Sequence, residues 1–188
     1  MILHNIDVSD IPSIDGMSAN IVEDGFKKYF NLAPGNEHYR LLSYISNKYN
    51  RITILDIGTF KGYSAFAFSS NENNIIYSID INDCNPSIID IPSNIEFLTG
   101  NIMDSKYDHL IDKSSIILID INHDGDSEKL IIDKLDDIGY NGVVLMDDIY
   151  LNSNMKLLWE SITHIKYDIT HIGHVTGTGL IYYGDQNG

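Results

Sequence analysis

The chain has 188 residues, enough for one domain with a continuous core, and its 43% hydrophobic and 21% charged content is that of a folded protein. Its 27 acidic and 12 basic residues give a formal charge of −15 and no basic stripe, so the long-range field repels polyanions and a nucleic-acid partner is not expected. No apolar run reaches the roughly 20 residues of a membrane span, the chain does not open on a basic-then-apolar leader, and the single Cys84 suits a reducing compartment, so a cytoplasmic protein without membrane association is expected.

Residues 1–17 carry Pro12 and Gly16 and read as an irregular lead-in. Over 18–30, the positions of Ile21, Val22, Phe26, Tyr29 and Phe30 predict a helix, ended by Pro34 and Gly35. A second helix is predicted over 36–49, with Asn36 as its N-cap and Leu41, Leu42 and Ile45 on one face. The pattern then changes to short β-branched runs at 52–57, 75–80, 95–98, 115–120 and 142–147, separated by segments of helical character, best seen over 127–138. Such alternation predicts a parallel sheet of right-handed crossover units. The last two runs, 167–172 and 179–183, are too close for a crossover helix and predict an antiparallel hairpin. The expected class is α/β, a parallel sheet closed by an antiparallel pair, with helices on both faces.

In open α/β sheets, ligands bind beyond the carboxyl ends of the strands. Here those ends are acidic: Asp56, Asp80, Asp120, Asp147 and Asp148. Aspartate also starts turns and caps helices, which accounts for any one of these better than for all of them together. In the first strand–loop–helix, Gly58 allows a tight turn and close ligand approach, and Gly62 lets the following helix begin nearby. A dinucleotide-binding loop needs a glycine where Phe60 stands, which disfavours a dehydrogenase. Asp80, about twenty residues beyond this loop, sits where a carboxylate can hold ribose hydroxyls.

Asp56, Gly58, Gly62 and Asp80 at these places resemble the class I S-adenosylmethionine (SAM)-dependent methyltransferases. The resemblance covers nearly the whole chain and implies a Rossmann-like core over 51–188 preceded by a helical lead-in or lid over 1–50, in one domain. It implies that the loop of Asp56, Gly58, Thr59, Phe60 and Gly62 holds the methionine end of SAM. Gly62-Tyr63-Ser64 is similar to the Gly-Tyr-Ser of the catechol and caffeoyl-CoA type O-methyltransferases, where Tyr and Ser contact the SAM carboxylate. By the same resemblance Asp80 and Ile81 lie at the ribose, Asn101 and Ile102 flank the adenine, and Asp120 borders the donor.

That branch also implies a metal site at Asp120, Asp147 and Asp148, and residues 119–125 are similar to the macrocin O-methyltransferase and cephalosporin hydroxylase-like group. Three converging carboxylates suit Mg²⁺ or another divalent cation, which would lower a substrate hydroxyl's pKa; the same aspartates could also serve as caps and SAM contacts without metal. His123, three residues after Asp120, stands where the catechol-type enzymes carry a lysine base, and reads either as a general base working with Asp120 or as an exposed loop histidine. His38 and Tyr39, at the start of the helix before the first strand, could close over the site, but capping and packing are expected; His164, His171 and His174 invite a metal reading, but their spacings of seven and three favour structural roles. Too few histidines are evident for a two-His-one-carboxylate iron site. Trp159, with Leu157, Leu158 and Ile162, is expected in the core. The function expected is SAM-dependent O-methylation of a small-molecule hydroxyl; the alternative is a non-catalytic SAM- or nucleoside-binding module. Homo-oligomerisation is left open.

Overall fold

Thr53–Ile57 forms β1 because its aliphatic side chains alternate between two buried faces: Ile54 joins one core cluster and Leu55 the other. In this computed structural model, which describes residues 3–184, β1 pairs in parallel with β2 (Ile75–Asp80) on one side and β4 (Ile116–Ile119) on the other. β3 (Ile95–Thr99) continues beyond β2, and β5 (Gly142–Asp147) beyond β4. The antiparallel β7 (Thr178–Tyr183) inserts between β5 and the edge strand β6 (Ile165–Asp168). The seven-stranded order is therefore β3-β2-β1-β4-β5-β7-β6. The chain winds outward from β1 to β3, then returns past β1 to β4, so strand order reverses between β1 and β4.

On one face, α2 (Tyr39–Lys48) and α3 (Tyr63–Phe68) pack with Ile54, Ile76, Leu118 and Leu180. Leu3, Ile6, Ile11 and Ile14 of the lead-in belong to this same cluster. On the other, α4 (Asp108–Lys113), α5 (Asp126–Asp137) and α6 (Ser153–Ser161) cover Leu55, Ile117, Val144 and Met146. Trp159, Leu158 and Ile162 are in that core as expected, but Leu157 is 64% exposed, on the solvent side of α6. Among the described residues no helix is long and apolar enough to cross a membrane.

Three predicted elements are corrected. The helix expected over 18–30 is instead a 3₁₀ turn at Met17–Asn20, a single antiparallel bridge between Ile21 and Ile88, a four-residue α1 (Asp24–Lys27) and a second 3₁₀ turn at Lys28–Asn31. Hydrogen bonds from Val22 N–H to Ser87 O (2.9 Å) and from Ile89 N–H to Asn20 O (2.8 Å) claim backbone groups that a helix would need. The next helix begins at Tyr39, with His38 rather than Asn36 at the cap position. The strand expected over 167–172 ends at Asp168, whose carboxylate accepts from the Thr170 N–H at 2.9 Å and turns the chain.

Candidate active site

At the end of β1 the chain turns on Gly58 with φ 102°, and a Cβ there would stand 1.7 Å from the Asp120 carbonyl oxygen. The cause is the close run of the two strand ends, where Asp120 N–H donates to Ile57 O at 2.9 Å. Beneath the loop, Asp56 is fully buried. Its Oδ2 accepts from the hydroxyls of Ser78 (2.6 Å) and Ser64 (2.9 Å), while its Oδ1 has no partner. Burial pushes its pKa up to about 6, against the opposing effect of the two hydroxyls. Thr59 completes this network through Ser78 at 2.8 Å. Phe60 adopts φ 45°, its ring mostly exposed, and its N–H donates to Asp80 Oδ2 at 3.1 Å. With Asn82 N–H on Oδ1 at 2.9 Å, the Asp80 carboxylate is fixed by two backbone amides.

A cavity of about 550 Å³ opens here, at the reversal between β1 and β4, within the size range of small-molecule sites. Of the residues singled out from sequence, Gly58, Phe60, Asp80, Ile81, Asn101, Ile102, Asp120 and His123 line it. Asp56, Thr59, Gly62, Tyr63 and Ser64 do not. The hydroxyl of Ser64 is spent on Asp56, and the ring of Tyr63 packs against Phe26 at 5.1 Å and edge-on to Phe30 and Tyr39. Gly62 is required by packing, since a Cβ would lie 2.9 Å from the Phe97 ring. Sequence reasoning missed Asn82, Met103, Asn122, Ser127 and Leu130 on the cavity wall. Only Leu130, an apolar side chain 56% exposed on α5, carried a sequence signal, as an apolar position of the predicted helix.

The loop after β4 is anchored by Glu128, 1% exposed, which accepts from His123 N–H at 2.6 Å and Gly125 N–H at 2.8 Å. This holds His123 at φ 56° and points its Nε2 to within 3.4 Å of both Asp120 Oδ1 and Asp148 Oδ2. Four non-glycine residues adopt positive φ among the described residues, and Phe60, His123 and Asp148 of this sheet edge are three of them. Such strained backbone gathers at functional sites.

Next to Asp120 lies a cluster that the sequence reading did not assemble. His38, 4% exposed, places Nδ1 3.4 Å from Glu37 Oε1 and 3.3 Å from Asp147 Oδ1. His174 places Nδ1 3.4 Å from Asp147 Oδ2 and 3.1 Å from Asp148 Oδ1. The capping role expected of His38 is thus corrected: it makes no side-chain cap, and its ring is turned into the acidic edge. His174, for which a structural role is expected, sits at the same edge, its Nδ1 also within 2.9 Å of the Thr176 hydroxyl. His164 does lie outside, on Asp136 at 2.7 Å. Burial opposes charge on His38, but Asp147 outweighs it and lifts the pKa to about 9. Burial likewise opposes charge on His174, and Asp147 and Asp148 raise it to about 11. Asp120 is pushed well above the usual carboxylate range by burial and by the Asp147 charge, whereas Asp147, despite its burial, is held below that range by His38 and His174. The groups whose ligand atoms fall within 4.8 Å of one another include His38 with Asp120 and Asp147, and Asp147 and Asp148 with His174. The all-aspartate set expected from sequence is not among them. His38 Nδ1 and Asp147 Oδ1, both buried without a hydrogen-bond partner, fit a cation bound between them.

No family model matches the chain, and no curated protein does. Solved structures do match. The O-methyltransferase TomG of Streptomyces achromogenes, solved with SAM, superposes with a TM-score of 0.59 over 91% of each chain at 14% identity. A putative caffeoyl-CoA O-methyltransferase from Staphylococcus aureus gives 0.57 at 17% identity, over 78% of this chain and 82% of that one. The S-adenosylhomocysteine-bound methyltransferase PaMTH1 of Podospora anserina gives 0.55 at 17% identity over 78% of each chain. The fold is that of the SAM-dependent methyltransferases. At such identities the likeness is one of fold, and the chemistry has to be argued from this chain's own site.

Proposed function

We propose that the protein is a SAM-dependent methyltransferase acting on a hydroxyl of a small molecule, in the reducing cytoplasm that its single Cys84 suits. The observation that carries this reading is the cavity at the β1–β4 reversal with the Asp80 carboxylate on its wall. In this reading the two oxygens of Asp80, already aligned by backbone amides, accept the ribose hydroxyls. The bare backbone of Gly58 lets the methionine portion approach β1, and Asn101 and Ile102 border the base. Asp56, Thr59 and Ser64 act from beneath, fixing the loop's shape through their hydroxyl–carboxylate network.

The reaction is an in-line displacement: the methyl carbon leaves the sulfonium sulfur, bonds to the acceptor oxygen, and that oxygen's proton is lost. Positioning therefore dominates. His123 is the group we assign to take the proton, with Asp120 and Asp148 at 3.4 Å orienting its ring and offsetting the charge of the captured proton. A divalent cation at the neighbouring acidic edge, held by Asp120 and Asp147 with His38 or by Asp147 and Asp148 with His174, would act as a Lewis acid toward the hydroxyl.

Incubation with SAM and a panel of hydroxylated small molecules should yield S-adenosylhomocysteine only when an accepted substrate is present. His123→Ala should lower kcat by roughly 10²-fold or more while leaving SAM affinity within about twofold. Unchanged kcat in that variant would remove His123 from the chemistry. SAM binding without turnover on any acceptor would favour the non-catalytic binding module.

A further inference from the structure

We propose that His38, Asp120 and Asp147 hold one divalent transition-metal ion, so that this edge binds Zn²⁺ or Co²⁺ in preference to Mg²⁺. The inference rests on reading the acidic edge as a cation site and decides which of its two donor sets is used. One ligand atom from each of these three residues lies within 4.8 Å of the other two. The fold supplies them from three elements. β4 pairs with β5 in the register of Ile119 to Met146, so Asp120 and Asp147 follow side by side at the carboxyl end of the sheet. His38, at the cap position of α2, turns its ring onto that end, with Nδ1 3.3 Å from Asp147 Oδ1.

Hydrogen bonding separates the two sets. Thr176 donates its hydroxyl proton to Asp148, so the 2.9 Å contact between that hydroxyl oxygen and His174 Nδ1 needs a proton on the nitrogen. A protonated Nδ1 has no lone pair for a metal, and Nδ1 is the nitrogen that His174 turns toward Asp147 and Asp148. His38 is the opposite case. It is 4% exposed, and both of its ring nitrogens and the Asp147 Oδ1 are buried without a hydrogen-bond partner. Protonated on both nitrogens, His38 would bury two N–H groups, neither of them hydrogen-bonded. A cation between Nδ1 and Oδ1 satisfies two of these three atoms at once. The 3.3 Å spacing agrees. Charge-assisted N–H···O⁻ bonds run about 2.7–2.9 Å. Two donors on one ion, each at about 2.0–2.2 Å, stand about 3.0–3.5 Å apart, the edge of their coordination polyhedron. Glu37 is a neighbour, not a ligand, since its Oε1 already accepts the His38 backbone N–H at 2.8 Å. Three protein donors leave positions open for water or an acceptor oxygen. Mg²⁺ takes oxygen ligands and dehydrates reluctantly, whereas imidazole suits the later first-row ions.

The test uses full-length protein stripped with EDTA and kept free of SAM, so that its outcome is independent of methyl-donor binding. Titration with Co²⁺ should produce visible d–d absorption saturating at one ion per chain, and calorimetry should give Zn²⁺ an affinity at least about 100-fold above that for Mg²⁺. His38→Ala should weaken Zn²⁺ at least about tenfold, and His164→Ala, at a histidine outside the edge, should not change it. Pulsed electron paramagnetic resonance of bound Mn²⁺ should show imidazole nitrogen coupling in the unmutated protein, a readout that does not depend on any variant folding. That coupling should persist in His174→Ala and vanish in His38→Ala. Coupling that instead depends on His174, or none in the unmutated protein, would overturn the assignment, as would equal affinity for Zn²⁺ and Mg²⁺. Mg²⁺ binding without nitrogen coupling would leave the reading of the edge as a cation site standing, whereas no binding of any of these ions would remove both.

Discussion

Gly58→Ala should be severely destabilising, by on the order of 4 kcal/mol, and should abolish SAM binding in whatever fraction folds. Two costs combine. The φ of 102° is strained for any residue with a Cβ, and that Cβ would lie 1.7 Å from the Asp120 carbonyl oxygen. Relief requires moving the end of β4, which is tied to β1 by the Asp120 N–H bond to Ile57 O. A thermal melt should fall by roughly 10 °C for a domain of this size. Gly16→Ala is the internal control. It shares a left-handed φ of 92° but has nothing within 4 Å of the new Cβ, so only the backbone cost applies, about 1 kcal/mol. If the two variants melt alike, the close approach of β1 and β4 at the cavity floor is wrong.

Asp56 should make stability fall between about pH 4 and pH 6. Its folded pKa of about 6 stands above the ordinary aspartate value of 3.8 because burial penalises the charged form. The sign follows from linkage. The neutral carboxyl's contribution is full below the unfolded value and is lost as pH rises through the folded one. The difference between those values corresponds to about 3 kcal/mol. Asp56→Asn cannot ionise, so its stability relative to the parent should rise by about that amount from pH 4 to pH 7 and then stay level. Denaturant unfolding at a series of pH values measures it, and a pH-independent difference between the two proteins would contradict the burial of an ionisable group under this loop.

Much of this was legible in the linear sequence, for a physical reason. Strands buried on both faces must be nearly continuous aliphatic runs, and 75–80 and 142–147 have the same limits in the structure as in the sequence reading. The acidic strand ends were equally visible, because a parallel sheet puts every such end at one edge. What was illegible depended on tertiary pairing. Ile21 and Val22 kept a helical spacing but were captured by the segment at 87–89, a contact that no local pattern announces. His38 and His174 lie far apart along the chain and have no metal-binding spacing. They meet at Asp147 only because β7 runs antiparallel beside β5 and returns its preceding loop to the carboxyl end of the sheet. The side of the loop on which Tyr63 and Ser64 fall was also hidden, since it depends on Asp56 taking the Ser64 hydroxyl and Phe26 and Phe30 surrounding the Tyr63 ring.

Calorimetric titration of SAM into the full-length protein, alongside Asp80→Ala, bears most directly on the cavity as a methyl-donor site. Binding of one SAM per chain is expected. Removal of the carboxylate, with its charge-assisted bonds to two hydroxyls, should weaken that binding at least about tenfold without unfolding the chain. No heat of binding at millimolar SAM, or equal affinity in the parent and the variant, would contradict it.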